Sequence, residues 1–317
     1  MQAADEAIVI RWAGGHVRAA GIRAFLSESR ESLLLRDFCR HLKRTAPFVD
    51  ISMESLVPEQ GPCLAVAANI FYQAAPSGAE LDLFLKVLSG TLPVPEKQIP
   101  STAALPENPA QPARLDLYIS SLCPFCPHVA GPLLALAMTC KAVTLNVIDG
   151  TLFEEKAAGA GIKAVPTLIL EDRFRWTGKV ALAEVINVAA HRDGADFGVD
   201  TLKTIVTGGN AETAARMMTD RGQIYPAFID LLTDPDWSAR LGAMVVFEYL
   251  CEPGEDLAGA VIEALWARFD ALAEDVQADM VQMMGESRRP DAMEKVRAVL
   301  AGDFAAMVKE AAREVLE

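Results

Sequence analysis

The sequence is short of several things. No window approaches 18 uninterrupted apolar residues, so no helix able to span a bilayer is expected. The first 30 residues lack a basic start followed by an apolar run and a small-residue cleavage site. No secretion signal is therefore expected, and the cytoplasm is the expected compartment. Cysteine is scarce: six in 317 residues, without an export signal, do not make a disulfide scaffold. A close pair is then better read as catalytic, redox-active or metal-binding, and one pair qualifies, Cys123 and Cys126. Positive charge is also short. Residues 195–317 carry 23 Asp and Glu against 11 Lys and Arg, whereas residues 1–194 carry 20 against 18. The acidic last third repels phosphate backbones and anionic lipid, so neither nucleic acid nor membrane is an expected partner.

What is present belongs to an ordinary globular chain. Apolar residues at 51% and charged residues at 23% exclude a disordered or collagen-like polypeptide. A prior of about 150 residues per domain gives two or three domains. The stretch from Pro93 to Pro112, PVPEKQIPSTAALPENPAQP, favours an extended connector. A softer break lies near His191 to Gly198, where charge and pattern both change. The expected organisation is therefore a domain over 1–92, a linker over 93–112, a second domain over 113–194 and a third over 195–317.

Upstream of the linker the pattern predicts a helix over 4–13, a strand over 22–27 and a helix over 29–45. A strand over 49–54, two strands within 63–73 and a helix over 78–88 follow. Downstream of the linker it predicts a strand over 114–120, a helix over 123–141, a strand over 142–149 and a short helix over 152–158. Strands over 165–171 and 173–176 and a helix over 180–190 complete that segment. The two orders resemble each other, which suggests a pseudo-repeat of one α/β unit with a central sheet. Beyond residue 198 strand signals vanish and apolar residues recur at helical spacing. Helix pairs are laid at 204–218, 225–250, 262–284 and 296–316, the second around the acidic turn Asp234-Pro235-Asp236 with Ala239 and Arg240 opening the next helix. Such pairs cannot bury an apolar face alone and must stack, and they resemble HEAT or armadillo repeats. The fold class expected for the whole chain is thus α/β followed by all-α.

The chemistry concentrates in LDLYISSLCPFCPHVAGPLL, which sets Cys-Pro-Phe-Cys where a strand ends and a helix begins. Pro124 suits the first helical position, which puts Cys123 at the helix N-terminus. Unpaired amides and the helix dipole stabilise a thiolate there, lowering a thiol pKa from about 8.5 to roughly 3.5–7.5. Cys126, one turn on, is expected to stay protonated until needed and to bridge back to Cys123. The Cys123 thiolate would attack a partner disulfide, and Cys126 would resolve the mixed disulfide. Structural zinc would want a second paired motif, and none exists, so no metal is expected. His128 either tunes the thiolate or is a plain exposed residue, and His16, His41 and His191 are expected at the surface. Cys39, Cys63, Cys140 and Cys251 fall on apolar faces, where packing is the expected role.

A strand, a Cys-x-x-Cys at a helix start and Val165-Pro166-Thr167 about 40 residues later resemble the thioredoxin superfamily. The resemblance implies a cis Val165–Pro166 bond facing the dithiol, and a Val165 backbone that pairs with an extended substrate segment. Two such folds in tandem, with the dithiol only in the second, are similar to the N-terminal module of flavoprotein alkyl hydroperoxide reductases and to glutaredoxin-like protein disulfide oxidoreductases. Val147-Ile148-Asp149-Gly150 with Phe153 supports the second fold, and Pro76-Ser77-Gly78-Ala79-Glu80-Leu81 supports the first. The resemblance covers residues 20–192 and makes Glu80, in those relatives close to the dithiol, a proton-transfer candidate. Ser27–Ser29 stands where a first-fold Cys-x-x-Cys would belong, so that fold is expected to be redox-inactive. No GxGxxG follows residue 192, so no flavin or nicotinamide cofactor is expected and electrons must come from an external reductase or a thiol.

The expected activity is thiol-disulfide exchange through Cys123 and Cys126, with Pro124, Phe125, Val165 and Pro166 contacting the substrate and Glu80 assisting. The expected substrate is a protein disulfide, a peroxiredoxin among the candidates, and the helical repeats would dock a partner. The competing reading makes the repeats the main function and the dithiol a redox sensor that alters their binding.

Overall fold

Strand signals scattered over residues 21–177 gather into one sheet. The computed structural model describes residues 2–15, 21–55, 61–93, 112–252 and 257–317, and the chain divides into two compact units, Met1–Arg192 and Asp193–Glu317. The proline-rich connector, apart from Pro93 and Pro112, lies outside the described residues, as does His16.

The first unit runs α1 (Ala3–Gly14), β1 (Gly21–Phe25), α2 (Arg30–Thr45), β2 (Asp50–Glu54), β3 (Cys63–Ala67), β4 (Ile70–Gln73) and α3 (Gly78–Leu88). It continues with β5 (Ala113–Ile119), α4 (Cys126–Thr139), β6 (Val143–Asp149), α5 (Glu154–Gly159), β7 (Thr167–Leu170), β8 (Phe174–Thr177) and α6 (Leu182–His191). The eight strands form a single sheet in the order β2-β1-β3-β4-β6-β5-β7-β8. In each half the first strand lies between the second, parallel to it, and the third, antiparallel, with the fourth beyond. Parallel pairing of β4 with β6, from Ile70–Leu145 to Gln73–Ile148, joins the halves. A central strand buried on both faces reads as an apolar run, as in LIL of β7. Asn69, in the β3–β4 turn, strengthens the join. Its amide donates to the carbonyls of Ala137 and Val143, both at 2.7 Å, tying off the end of α4 and the start of β6.

The helix that follows β1 opens with serines. Ser29 is the N-cap of α2 and its side chain accepts from the Ser32 amide, while the Ser32 hydroxyl accepts from the Ser27 amide at 2.8 Å. These capping serines open α2, and no cysteine lies at this helix start.

The second unit holds α7 (Val199–Thr207), α8 (Ala211–Thr219), α9 (Pro226–Leu232), α10 (Trp237–Leu250), α11 (Leu257–Trp266), α12 (Glu274–Glu286), α13 (Pro290–Ala301) and α14 (Ala306–Leu316). Helix pairs occupy the four segments expected to hold them. Close approach shapes their packing: a β-carbon on Gly285 of α12 would lie 2.6 Å from Val315 Cγ2 of α14. Arg240, buried in α10, donates to the Asp234 and Pro235 carbonyls of the preceding turn and to Asp275 and Asp279 of α12. One guanidinium thus fixes an interhelix turn and the neighbouring helix together.

Candidate active site

The chain leaves β5 at Ile119 and reaches Cys123 through a turn in which the Cys123 amide donates to the Ser120 carbonyl at 3.0 Å. Helix α4 starts at Cys126, with Phe125 as N-cap, and not at Cys123 with Pro124 in its first turn. The reason is Pro127. A helix capped at Cys123 would make its first i→i−4 bond from residue 127 to the Cys123 carbonyl, and proline has no N–H to donate. The next amide, of His128, bonds the Phe125 carbonyl at 3.1 Å instead. Cys123 therefore precedes the hydrogen-bonded helix, and Cys126 is its first residue.

The two sulfurs sit in different surroundings. Cys126 is fully buried and Cys123 half-buried, and all six cysteines are unbridged. Burial pushes the Cys126 thiol up to about 12. Its hydrogen bond with Cys123 and the nearby Glu80 charge act in the same direction, while a hydrogen bond with the Ser120 backbone opposes them. Cys123 Sγ lies 3.8 Å from the Val165 carbonyl, to which the thiol donates, and the Val165–Pro166 bond is cis. Around this pair the surface is apolar: Leu122 is 90% exposed and Phe125 70%. Pro124 is exposed as well. Leu122 escaped the sequence reading, although its place one residue before Cys123 was signal enough.

Behind Cys126 lies a set of buried ionisable groups contributed by both halves. Glu80, in the first turn of α3, is 4% exposed, and neither carboxyl oxygen has a hydrogen-bond partner among the described residues. Burial, reinforced by the Asp149 charge, raises its pKa to about 7. Tyr72 of β4 is buried with an unpartnered hydroxyl, and burial with the Glu80 charge holds its pKa well up. Asp149, at the end of β6, accepts from the Thr151 amide at 2.9 Å and the Thr151 hydroxyl at 2.6 Å. Glu80 is thus buried in the fold, and its charge acts on Cys126. Neither Tyr72 nor a role for Asp149 was visible in the sequence. Both arrive through the β4–β6 pairing, which no local pattern announces.

The chain is similar to known proteins over this region. The thioredoxin domain family matches residues 114–189. Those residues form a thioredoxin domain. An NADH dehydrogenase of Bacillus subtilis is 29% identical over 109 residues, a stretch covering 33% of this chain and 21% of that protein. The chain therefore spans about a fifth of that relative's length. Among solved structures, the NTD_N/C domain of alkylhydroperoxide reductase AhpF from Enterococcus faecalis overlays with a TM-score of 0.48 at 18% identity, covering 60% of this chain and all of that one. A protein disulfide oxidoreductase from Aeropyrum pernix gives 0.47 at 11% identity, over 59% and 92% of the two chains.

The other candidate residues fall outside this centre. His128 of the thioredoxin domain is exposed on the first turn of α4. His41 Nδ1 lies 2.8 Å from the Asp37 carbonyl one turn back in α2. Cys39 and Cys63 are buried, and burial raises their pKa to about 12 and about 11. Cys140 and Cys251 are only partly buried. Among the described residues no group of three or more His, Cys, Asp or Glu side chains is placed to hold a metal ion. Nor is any described helix long and apolar enough to cross a membrane.

Proposed function

We propose that the protein is a cytoplasmic thiol-disulfide oxidoreductase that works through Cys123 and Cys126. The carrying observation is the pairing of a half-buried thiol beside the Val165 carbonyl with a fully buried thiol backed by an unpaired carboxyl. Cys123, as thiolate, attacks one sulfur of a protein disulfide. A Cys123–substrate S–S bond forms, the substrate S–S bond breaks, and the departing sulfur takes up a proton. Cys126 then gives its proton to the Glu80 carboxylate and attacks Cys123 Sγ. The substrate leaves reduced by two electrons, and a Cys123–Cys126 disulfide remains. An external reductase or small thiol restores the dithiol. A thiol held near 12 needs such a base at neutral pH, and a carboxyl near 7 is tuned to serve.

In this reading Pro124, Phe125, Val165 and Pro166 contact the substrate, with Leu122 and Phe125 giving an apolar landing surface for a protein such as a peroxiredoxin. Residues 1–92 form a second thioredoxin-like fold, with Ser27–Ser29 where a dithiol would belong, joined through 93–112 to the active fold over 113–194. Residues 195–317 are HEAT-like repeats that dock a partner. Insulin reduction driven by dithiothreitol tests the reading: turnover is expected, and Cys123→Ser abolishes it. A wild-type protein that fails to turn over sinks the enzyme and leaves the redox sensor. Cys126→Ser is expected to trap the mixed disulfide.

A further inference from the structure

The first helix of the chain holds the helix that carries Glu80 at both of its ends. Asp5, Val9 and Trp12 form the buried face of α1. Trp12 Nε1 donates to Ser89 Oγ at 3.3 Å, at the C-cap of α3. Asp5, 6% exposed beside Val9 and Trp12, accepts with Oδ1 from the Gly78 amide at 2.8 Å, and Gly78 is the first residue of α3. A buried carboxylate costs free energy unless it is bonded, and the amino end of a helix is where one is favoured.

What Asp5 displaces is written in the sequence. Ser77-Gly78-Ala79-Glu80 has the pattern of a capping box, in which the N-cap serine bonds the amide three residues on and the glutamate reaches back to the serine amide. Neither half of that box is made. Ser77 is the N-cap, yet its side chain makes no capping bond, and neither carboxyl oxygen of Glu80 has a partner among the described residues. The backbone gives the reason. Gly78 is left-handed, with φ at 56°, where a capping box needs its first residue helical. In that conformation its amide is bonded to Asp5. Glycine takes either hand at little cost, so the bond partner decides between them.

We propose that Asp5 is a positioning residue for the dithiol chemistry: by capping α3 in place of Ser77 and Glu80, it keeps the Glu80 carboxyl unbonded and free to serve Cys126. The inference rests on the reading of Glu80 as the proton acceptor of Cys126. The ionisable groups around Glu80 are Cys126 of α4, Asp149 of β6 and Tyr72 of β4, with Asp5 of α1 at the start of its helix. Burial and the Asp149 charge make Glu80 a base suited to neutral pH. Asp5 acts on neither; it withholds Glu80 from the helix end, where bonded amides would stabilise its charge and weaken it as a base.

Stopped-flow reaction of the reduced full-length protein with dithiobis(nitrobenzoate) separates the two steps. The Cys123 thiolate attacks the reagent disulfide, releasing one thionitrobenzoate and leaving a mixed disulfide. Cys126 then passes its proton to Glu80 and attacks Cys123 Sγ, which releases the second thionitrobenzoate and closes the Cys123–Cys126 bond. In the wild type the rate of the second release is expected to rise through about pH 7. Asp5→Ala should move that rise down by more than one pH unit and slow the second release at pH 8 about tenfold, because a capped Glu80 is the weaker base. Asp5→Asn, which keeps an acceptor for the Gly78 amide, should restore the wild-type profile. Gly78→Ala disfavours the left-handed turn and should act as Asp5→Ala does with Asp5 still in place, so the test survives if Asp5→Ala fails to fold by circular dichroism. A midpoint that stays near pH 7 in the folded Asp5→Ala or Gly78→Ala protein overturns the proposal. If Glu80→Gln also keeps the wild-type profile, the reading of Glu80 itself falls; if Glu80→Gln flattens it, only the role of Asp5 is lost.

Discussion

At the level of single residues the Glu80 carboxyl carries the most consequence, because it is buried and no described residue offers it a hydrogen bond. Its pKa stands near 7 in the fold against an ordinary 4.5. Between those values the folded chain holds a proton that the unfolded chain has released, so the stability contributed by Glu80 is full below about pH 4.5 and falls as pH rises to 7. The loss amounts to roughly 3 kcal/mol. Urea unfolding at pH 5 and pH 8 should show it, with the wild type weakening relative to Glu80→Gln across that interval. The same substitution removes the proton acceptor for Cys126. Resolution of the mixed disulfide at pH 7 should slow by about a hundredfold, and the rise in rate through pH 7 should disappear from its stopped-flow profile. Burial separates the two thiols too: iodoacetamide at neutral pH should label Cys123 and spare Cys126, as peptide mapping would read.

At the level of elements, side chains that close the ends of helices decide stability. Asn69→Ala would leave the carbonyls of Ala137 and Val143 without their 2.7 Å donor and is expected to cost about 2 kcal/mol in denaturant unfolding. Arg240→Ala removes four hydrogen bonds from a buried guanidinium, two to the turn before α10 and two to α12, and is expected to cost about 3 kcal/mol. This scale also shows what the sequence could and could not tell. Period-two and period-3.6 patterns marked the strands and helices within a few residues, because local burial writes itself into local spacing. The start of α4 went wrong by three residues, since Pro124 satisfied a helix-start rule while Pro127 silently removed the bond that start required. The Cys123 and Cys126 spacing was plain from four letters. Tyr72 and the Asn146–Asp116 pair were not, because each owes its place to strand pairing between segments far apart in the chain.

At the level of the whole molecule, two compact units on one chain are expected to melt separately. Calorimetry should show two transitions, of which Arg240→Ala lowers only the one belonging to residues 193–317. Within the first unit the opposite holds. The β4–β6 ladder makes the seam between the halves an interior row of backbone hydrogen bonds, so neither half owns a complete sheet. Hydrolysing the chain between residues 93 and 112 would therefore not free two proteins. The fragments would stay clasped like a nicked dimer, and each made alone would offer its naked seam strand to any neighbour.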